Sequence, residues 1–171
     1  MDFILRPWQE SDLESLVQHA NNFKVAKFMT DGFPFPYNYE NGKAFIAFAT
    51  KNKPIHIFAI VVNGKAVGGI GVHQKTDIMR KNAELGYWLG ETYWRHGIIS
   101  RAIPQILQFA FETYDITRVY ARPFGTNIGS QKVLEKLGFT LEARIKNNIF
   151  KNDQFEDELI YGFRKEDLQN L

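Results

Sequence analysis

The 171-residue sequence predicts an α+β fold in which helices pack on a mostly antiparallel β-sheet. Three observations carry this prediction. Apolar residues recur at helical spacing within the first fifty residues, an Asn-Gly pair separates two apolar runs of strand length, and two further strand-like runs lie near the end of the sequence. The predicted element order is β-α-α-α-β-β-β-α-β-α-β-β, in which runs of helices and runs of strands are partly segregated.

The first fifty residues are predicted to form a strand and three helices, over residues 3–6, from residue 13, over residues 23–29 and over residues 39–51. Ser11 is followed three positions later by Glu14, a capping-box spacing that makes Ser11 the expected N-cap of the first helix. Asn22 is the expected N-cap of the second helix. Asp31-Gly32 and two prolines predict a loop before the third helix.

The middle of the sequence is predicted to form three strands and a long helix, over residues 55–62, 65–73, 83–90 and 98–114. The Asn63-Gly64 pair between the first two strands predicts a β-hairpin. Three glycines in the second strand either weaken it or mark a close backbone approach; they are Gly68, Gly69 and Gly71. Pro104 removes one hydrogen bond from the long helix, so a kink or a delayed regular start is expected.

The last third is predicted to form a strand, a helix and two strands, over residues 117–122, 130–137, 140–150 and 154–164. Gly138 occupies the position of a C-cap glycine after the helix. No linker, low-complexity tract or internal repeat interrupts these elements. The expectation is therefore one domain spanning residues 1–171.

Composition excludes several classes of function. The net charge is only +2 and there is no long Lys/Arg run, so a nucleic-acid-binding protein is not indicated. The absence of cysteine excludes disulfides, thiolate metal sites and a cysteine nucleophile, and the four histidines lack the spacing of a zinc site. No signal peptide and no apolar run of about 18 residues is present, which predicts a cytoplasmic protein that needs no metal and no membrane.

The segment 94–100 carries the first indication of a ligand site. Arg95, His96 and Gly97 lie between a predicted strand and the start of a predicted helix, where backbone N–H groups lack intrahelical acceptors. These donors and the helix dipole favour a phosphate or pyrophosphate, and Gly97 allows close backbone approach. An ordinary strand-loop-helix junction explains the same residues, and the spacing matches neither the P-loop nor the dinucleotide fingerprint.

A second segment, Asn127 to Phe139, has the sequence NIGSQKVLEKLGF. Together with the loop above, this segment resembles the GNAT superfamily of acetyl-CoA-dependent N-acetyltransferases, and most closely its RimJ/RimL branch. Three more landmarks follow the order of that branch: Arg6-Pro7-Trp8 before Ser11-Asp12-Leu13, the loop Phe33-Pro34-Phe35-Pro36-Tyr37, and Phe155-Glu156-Asp157-Glu158-Leu159. The resemblance covers nearly the whole sequence and implies helices on both faces of a sheet whose splayed central strands form the acetyl-CoA cleft.

The resemblance also implies how acetyl-CoA is held. The loop corresponds to the family motif Q/R-x-x-G-x-G/A, although this sequence has Trp94 at its first position and Ile99 at its last. The implied phosphate-binding residues are Arg95, His96, Gly97, Ile98, Ile99 and Ser100, and the pantetheine arm is expected on the backbone of Tyr87, Trp88 and Leu89. Asn127 matches an asparagine on the far side of the cofactor cleft, but a purely structural N-cap role is an equal alternative.

Glu84 is the candidate general base, because related enzymes use a glutamate near this position, often through a water. The alternative is a solvated glutamate paired with a neighbour such as Arg80 or Lys81. His73 is a second candidate base, since an imidazole titrates near neutrality.

Ser130 is implied as the donor to the departing thiolate, because Leu134 stands where many relatives place a tyrosine; Ser130 could instead bond a nearby backbone carbonyl. Tyr37 is the candidate substrate-contacting residue, with packing of its loop onto the core as the alternative.

The expected activity is direct transfer of the acetyl group of acetyl-CoA to a primary amine, which is a protein N-terminus or a small amine. The absence of cysteine fits transfer without an acyl-cysteine intermediate. The alternative is a module that binds acetyl-CoA as a sensor without turnover. The oligomeric state is left open, with a homodimer as one option.

Overall fold

The computed structural model describes residues 1–171 and contains five helices and seven strands. The helices are α1 (Leu13–Ala20), α2 (Phe23–Ala26), α3 (Tyr39–Lys51), α4 (Ile98–Thr113) and α5 (Ile128–Lys136). The strands are β1 (Ile4–Pro7), β2 (Ile57–Val62), β3 (Lys65–Gln74), β4 (Asn82–Leu89), β5 (Arg118–Ala121), β6 (Thr140–Lys151) and β7 (Gln154–Arg164). None of the helices is both long and apolar enough to cross a membrane.

The strands are hydrogen-bonded in the order β1-β2-β3-β4-β5-β7-β6. The pairs β1–β2, β2–β3, β5–β7 and β6–β7 are antiparallel, whereas β4 and β5 are parallel. The α+β prediction and the element order are confirmed. Residues 1–171 divide into two compact units, Met1–Gly71 with Tyr87–Ile99 and Val72–Gly86 with Ser100–Leu171. One domain for the whole sequence remains a prediction.

The first unit is built around a core to which Trp8, β2 and helices α1 to α3 contribute. Trp8 is buried and its indole makes an edge-to-face contact with Phe45 of α3, at 5.2 Å between ring centroids. Asp12 is also buried, and both carboxylate oxygens accept 2.7 Å hydrogen bonds from the guanidinium of Arg6. This bidentate pair raises the pKa of Arg6 and satisfies a charge that would otherwise be costly to bury.

Helix starts in the first unit were predicted with mixed success. Asn22 caps α2 through a hydrogen bond from the Lys24 amide, as predicted. The capping box before α1, however, is formed by Gln9 and Asp12, so the prediction of Ser11 as the N-cap was wrong. Because Asp12 is held by Arg6, its carboxylate is in place to accept from the Gln9 amide at 2.9 Å. This capping box begins a 3₁₀ turn, Glu10–Asp12, that leads directly into α1.

The hairpin between β2 and β3 turns at Asn63 and Gly64, with φ angles of 49° and 78°. Positive φ at both central residues is what a two-residue hairpin turn requires. The glycines of β3 mark close approaches: a Cβ at Gly68 would lie 2.5 Å from the Trp88 carbonyl oxygen, and one at Gly69 would lie 2.8 Å from the Trp88 indole nitrogen. Of the two predictions for these glycines, close approach is therefore the correct one.

The second unit contains α4, α5 and strands β5 to β7. Helix α4 continues through Pro104, and Gly138 ends α5 with a φ of 81°, as a C-cap glycine does. Strand β4 pairs with β5 over only three positions, from Asn82↔Arg118 to Glu84↔Tyr120, although β4 continues to Leu89. The ladder between these two neighbours thus covers less than half of β4, in agreement with the splayed central strands of the predicted fold.

Candidate active site

The segment that follows β4 forms an exposed loop with two residues in the left-handed region. Arg95 has a φ of 65° and Gly97 a φ of 69°, and helix α4 begins at Ile98. Positive φ is uncommon for a residue with a side chain, and such residues occur preferentially at functional sites. Arg95, His96 and Gly97 are exposed, whereas Ile98 is buried and anchors the first turn of the helix. The loop is therefore an exposed segment at a helix N-terminus.

Three hydrogen bonds that the sequence did not reveal hold this loop at its start. The indole nitrogen of Trp94 donates a 2.7 Å hydrogen bond to the carbonyl oxygen of Leu89, which ties the loop back to the end of β4. Glu91 accepts hydrogen bonds from Asn22, the N-cap of α2, and from Lys24 within α2. The bond from Lys24 contributes most to holding the pKa of Glu91 below its ordinary value. Trp94 thus has a structural role of its own at the position where the family motif has Gln or Arg.

The end of β4 carries the three residues predicted to face the pantetheine arm. Trp88 is buried against Phe33, at 5.4 Å between ring centroids, and Leu89 is buried as well, while Tyr87 is half-buried. The prediction concerns their backbone groups, and one of these, the Leu89 carbonyl, already accepts from Trp94. A carbonyl oxygen has two lone pairs, so a second donor can still bind there.

Glu84 lies on β4 in the second unit at the centre of a polar cluster. Its Oε2 atom accepts from Lys75 Nζ at 2.5 Å and from the Tyr120 hydroxyl at 3.4 Å. Its Oε1 atom lies 3.9 Å from an Arg122 nitrogen, too far for a hydrogen bond. The bond to Glu84 is the main cause of the raised pKa of Lys75. The carboxylate is therefore held by a cation on one side and approached by another.

The predicted alternative partners of Glu84 were the wrong residues. Lys81 forms an ion pair with Asp115, and the Arg80 side chain donates to the backbone carbonyl of Asp77. The partners in the structure are Tyr120 of β5 and the two residues that directly follow β3 and β5, Lys75 and Arg122. Both strands flank β4 in the sheet. The alternative candidate base, His73, is half-buried near the end of β3.

Gly86 lies two residues after Glu84, on the same face of β4 by strand alternation. It is exposed, and a Cβ placed there would meet no atom within 4 Å. Packing therefore does not explain this glycine, in contrast to Gly68 and Gly69. An open position beside the candidate base leaves room for a ligand to approach the strand.

Asn127 and Ser130 are brought together at the start of α5. The side-chain oxygen of Asn127 accepts a 3.2 Å hydrogen bond from the Ser130 amide, so Asn127 has the structural N-cap role that was one of its two predicted roles. Ser130 is half-buried in the first turn. Leu134, one turn further on, is fully buried at 0% exposure.

Tyr37, the predicted substrate residue, is buried at 4% exposure in the core of the first unit. Its ring lies 5.1 Å from that of Phe33, and burial raises the pKa of its hydroxyl to about 12. The exposed aromatic residue of the same loop is Phe35, which stacks edge-on against Phe23 at 5.6 Å. A substrate role for Tyr37 remains a prediction, while its packing role is visible.

The class of protein is an acetyltransferase fold. It is defined by the seven-stranded sheet, the partial β4–β5 ladder and the loop before α4. The sequence profile of the acetyltransferase (GNAT) domain matches residues 2–140. The chain belongs to the GNAT acetyltransferase family.

Two relatives from Escherichia coli (strain K12) indicate the range of the family around this chain. The ribosomal-protein-serine acetyltransferase is 30% identical over 106 residues, which are 62% of this chain and 59% of the relative. Spermidine N(1)-acetyltransferase is 24% identical over 161 residues, covering 91% and 82%. In YdaF and YoaA of Bacillus subtilis the match likewise spans only 57% and 55% of the relative's own length.

Solved structures agree on the fold. A GNAT-family acetyltransferase from Bacillus anthracis superposes with a TM-score of 0.83 at 22% identity, covering 97% of this chain and 96% of that one. The ribosomal L7/L12 α-N-protein acetyltransferase RimL, solved in complex with coenzyme A, also gives 0.83, at 21% identity, covering 95% and 93%. The predicted superfamily and its RimJ/RimL-like character are confirmed.

Proposed function

We propose that this protein is an N-acetyltransferase that transfers the acetyl group of acetyl-CoA directly to a primary amine. Membership of the GNAT family is the observation that carries the proposal. The acceptor classes it covers are a protein N-terminus and a small amine, as in the names of the ribosomal-protein and spermidine relatives.

The loop at Arg95 to Ser100 is the proposed binding site for the cofactor phosphates. Left-handed backbone at Arg95 and Gly97 supports this role, because alternating backbone hands turn successive N–H groups toward one side and form an anion-binding concavity. The first turn of α4, from Ile98 to Ser100, adds backbone amides at the positive end of the helix dipole. Arg95 supplies an exposed side chain of matching charge, and His96 supplies an exposed imidazole.

The backbone of Tyr87, Trp88 and Leu89 is the proposed contact for the pantetheine arm, and Asn127 is a further contact. Gly86 supports a pantetheine arm that lies along β4. The open space at the Cβ position of Gly86 lets an extended ligand lie against the strand. The N-cap bond of Asn127 uses its side-chain oxygen, so its amide N–H₂ group is the part that would donate to the ligand.

Glu84 is the proposed general base. Bound acetyl-CoA supplies the thioester; Glu84 takes the proton that the acceptor amine loses as its nitrogen bonds to the acetyl carbon, directly or through a water. Ser130 donates a hydrogen bond to the sulfur as the carbon–sulfur bond breaks. The thiolate takes a proton from water, or from Ser130, which then regains a proton from water. The Lys75 ammonium on Glu84 supports this role, since it occupies the place that a cationic acceptor amine would take.

A free-thiol assay with acetyl-CoA and a panel of acceptors tests the proposal. Peptides with free N-terminal amines, a polyamine and amino acids cover the proposed classes. Thiol release that depends on one of these amines is the expected result. Acetyl-CoA binding without release on any acceptor would favour the sensor, for which the departures from the family motif at Trp94 and Ile99 are the supporting observation.

A further inference from the structure

Glu158 is a buried carboxylate that the proposed chemistry does not use. It lies on β7 at 3% exposure and accepts hydrogen bonds from Arg122 Nε at 2.5 Å and from Asn148 Nδ2 at 2.7 Å. A buried charge is costly unless it is paired and hydrogen-bonded, and these two partners meet that requirement. The buried charge of Glu158 is therefore neutralised by Arg122, and the Arg122 guanidinium is hydrogen-bonded to Glu158.

A bulge in the β6–β7 hairpin supplies the second partner. Ile145 pairs with Glu158 and Ile149 pairs with Glu156, so three residues of β6 lie opposite the single residue Asp157. The Asp157 carboxylate accepts from the Asn147 amide at 3.0 Å, and this bond is the main cause of its lowered pKa. Bulges redirect side chains next to functional sites. Here the bulge directs Asn148 at Glu158.

Arg122 stands between two carboxylates. It is bound to Glu158, and its Nη1 atom lies 3.9 Å from Oε1 of Glu84. The Arg122 side chain is 44% exposed, so it is not locked in place by packing alone. A small rotation would convert this long 3.9 Å ion pair with Glu84 into a hydrogen-bonded one.

We propose that Glu158 is a positioning residue that retains the Arg122 guanidinium and thereby keeps it from forming a bidentate ion pair with Glu84. This inference rests on the proposed role of Glu84 as the base. A carboxylate held by a guanidinium fork binds a proton poorly and has fewer lone pairs open to an amine or a water. The other groups that face Glu84 are Lys75, which directly follows β3, and Tyr120 of β5. The Arg118 guanidinium lies over the Tyr120 ring at 4.6 Å.

The pH dependence of kcat/KM for amine-dependent thiol release tests this role. Glu158→Gln keeps the side-chain shape and removes the charge, so Arg122 is released toward Glu84. The acid limb is the part of the pH profile in which kcat/KM falls as the pH is lowered. We expect it to move toward lower pH by about 1 pH unit or more. We also expect a lower kcat, with the KM for acetyl-CoA unchanged. Arg122→Gln is expected to displace the acid limb in the opposite direction. Glu156→Gln, which changes the neighbouring β7 carboxylate bonded to Thr126, is the matched control and should keep the wild-type profile.

An unchanged acid limb of the pH profile in Glu158→Gln overturns the inference. An unchanged acid limb in Arg122→Gln also overturns it. If Glu158→Gln does not fold, Arg122→Gln alone tests the inference. Glu84→Gln, measured in parallel, separates this inference from the proposed function. If Glu84→Gln keeps the wild-type acid limb, the base is another group and the proposed mechanism fails. If Glu84→Gln removes the limb and Glu158→Gln leaves it in place, only the positioning role is wrong.

Discussion

The Nζ atom of Lys75 lies 2.5 Å from Oε2 of Glu84, so the proposed base carries an ammonium group in the structure. A cationic amine that approaches Glu84 competes with this lysine for the same oxygen. The first prediction is that Glu84 acts on the acceptor amine and not on acetyl-CoA. Glu84→Gln should lower kcat by about 10²- to 10⁴-fold, the usual cost of losing a general base, with little effect on acetyl-CoA affinity.

Steady-state kinetics and calorimetric titration with acetyl-CoA measure the two quantities. Glu142→Gln is the matched control, because Glu142 is also a carboxylate paired with cations in the second unit, through Arg118 and Arg164. Wild-type turnover in Glu84→Gln would move the base elsewhere, with His73 as the next candidate.

The second prediction concerns the loop before α4. Gly97→Val should weaken acetyl-CoA binding, because a branched side chain at a φ of 69° strains the loop and blocks ligand approach to its amides. Calorimetry on the folded variant measures the affinity. Gly64→Val is the matched control, since Gly64 is also exposed and has a φ of 78° in the β2–β3 turn. Equal affinities in the two variants would exclude the loop as the phosphate site.

Gly86 gives the third prediction, in which stability and activity change in opposite directions. A Cβ at Gly86 meets no atom within 4 Å, and glycine within a strand is less stable than alanine by roughly 0.5–1 kcal/mol. Gly86→Ala should therefore raise the free energy of unfolding slightly while it lowers kcat/KM for acetyl transfer. Denaturant unfolding and thiol-release kinetics measure the two effects, and full activity in this variant would show that no ligand lies against β4 at this point.

The fourth prediction concerns the leaving thiolate. Ser130→Ala should lower kcat with little change in acetyl-CoA affinity, because a hydroxyl that donates to a developing charge acts mainly in the transition state. The N-cap of α5 should survive, since Asn127 accepts from the Ser130 backbone amide rather than from its hydroxyl. Full activity of Ser130→Ala in steady-state assays would leave thiolate protonation to water.

Adding the tyrosine that many relatives use should not rescue Ser130→Ala. Leu134 is fully buried, so Leu134→Tyr places a larger polar side chain in a packed core, which typically costs about 1–3 kcal/mol. Thermal unfolding measures that loss. A stable double variant with restored kcat would contradict the packing at this position.

Local signals in the sequence predicted most elements of the fold, because a hairpin pair such as Asn63-Gly64 and an N-cap such as Asn22 act within a few residues. The partners of Glu84 were missed for the opposite reason. Lys75 and Arg122 reach Glu84 only through the registers of β3 and β5 against β4, and sequence separation gives no measure of those registers. The Trp94 bond to Leu89 was not predicted, because the sequence does not indicate which carbonyl oxygen an indole N–H in an irregular loop will reach.

The central claim is that an amine receives the acetyl group of acetyl-CoA, and isotope transfer measures it most directly. The protein is incubated with each acceptor of the panel and with acetyl-CoA that carries carbon-13 in its acetyl group. Mass spectrometry measures the mass of the acceptor, and a thiol reagent quantifies the released thiol. The account predicts one labelled acetyl group on the amine for each thiol released, and loss of both signals in Glu84→Gln. Thiol release that leaves every acceptor unlabelled, or binding of acetyl-CoA with no release, would contradict it.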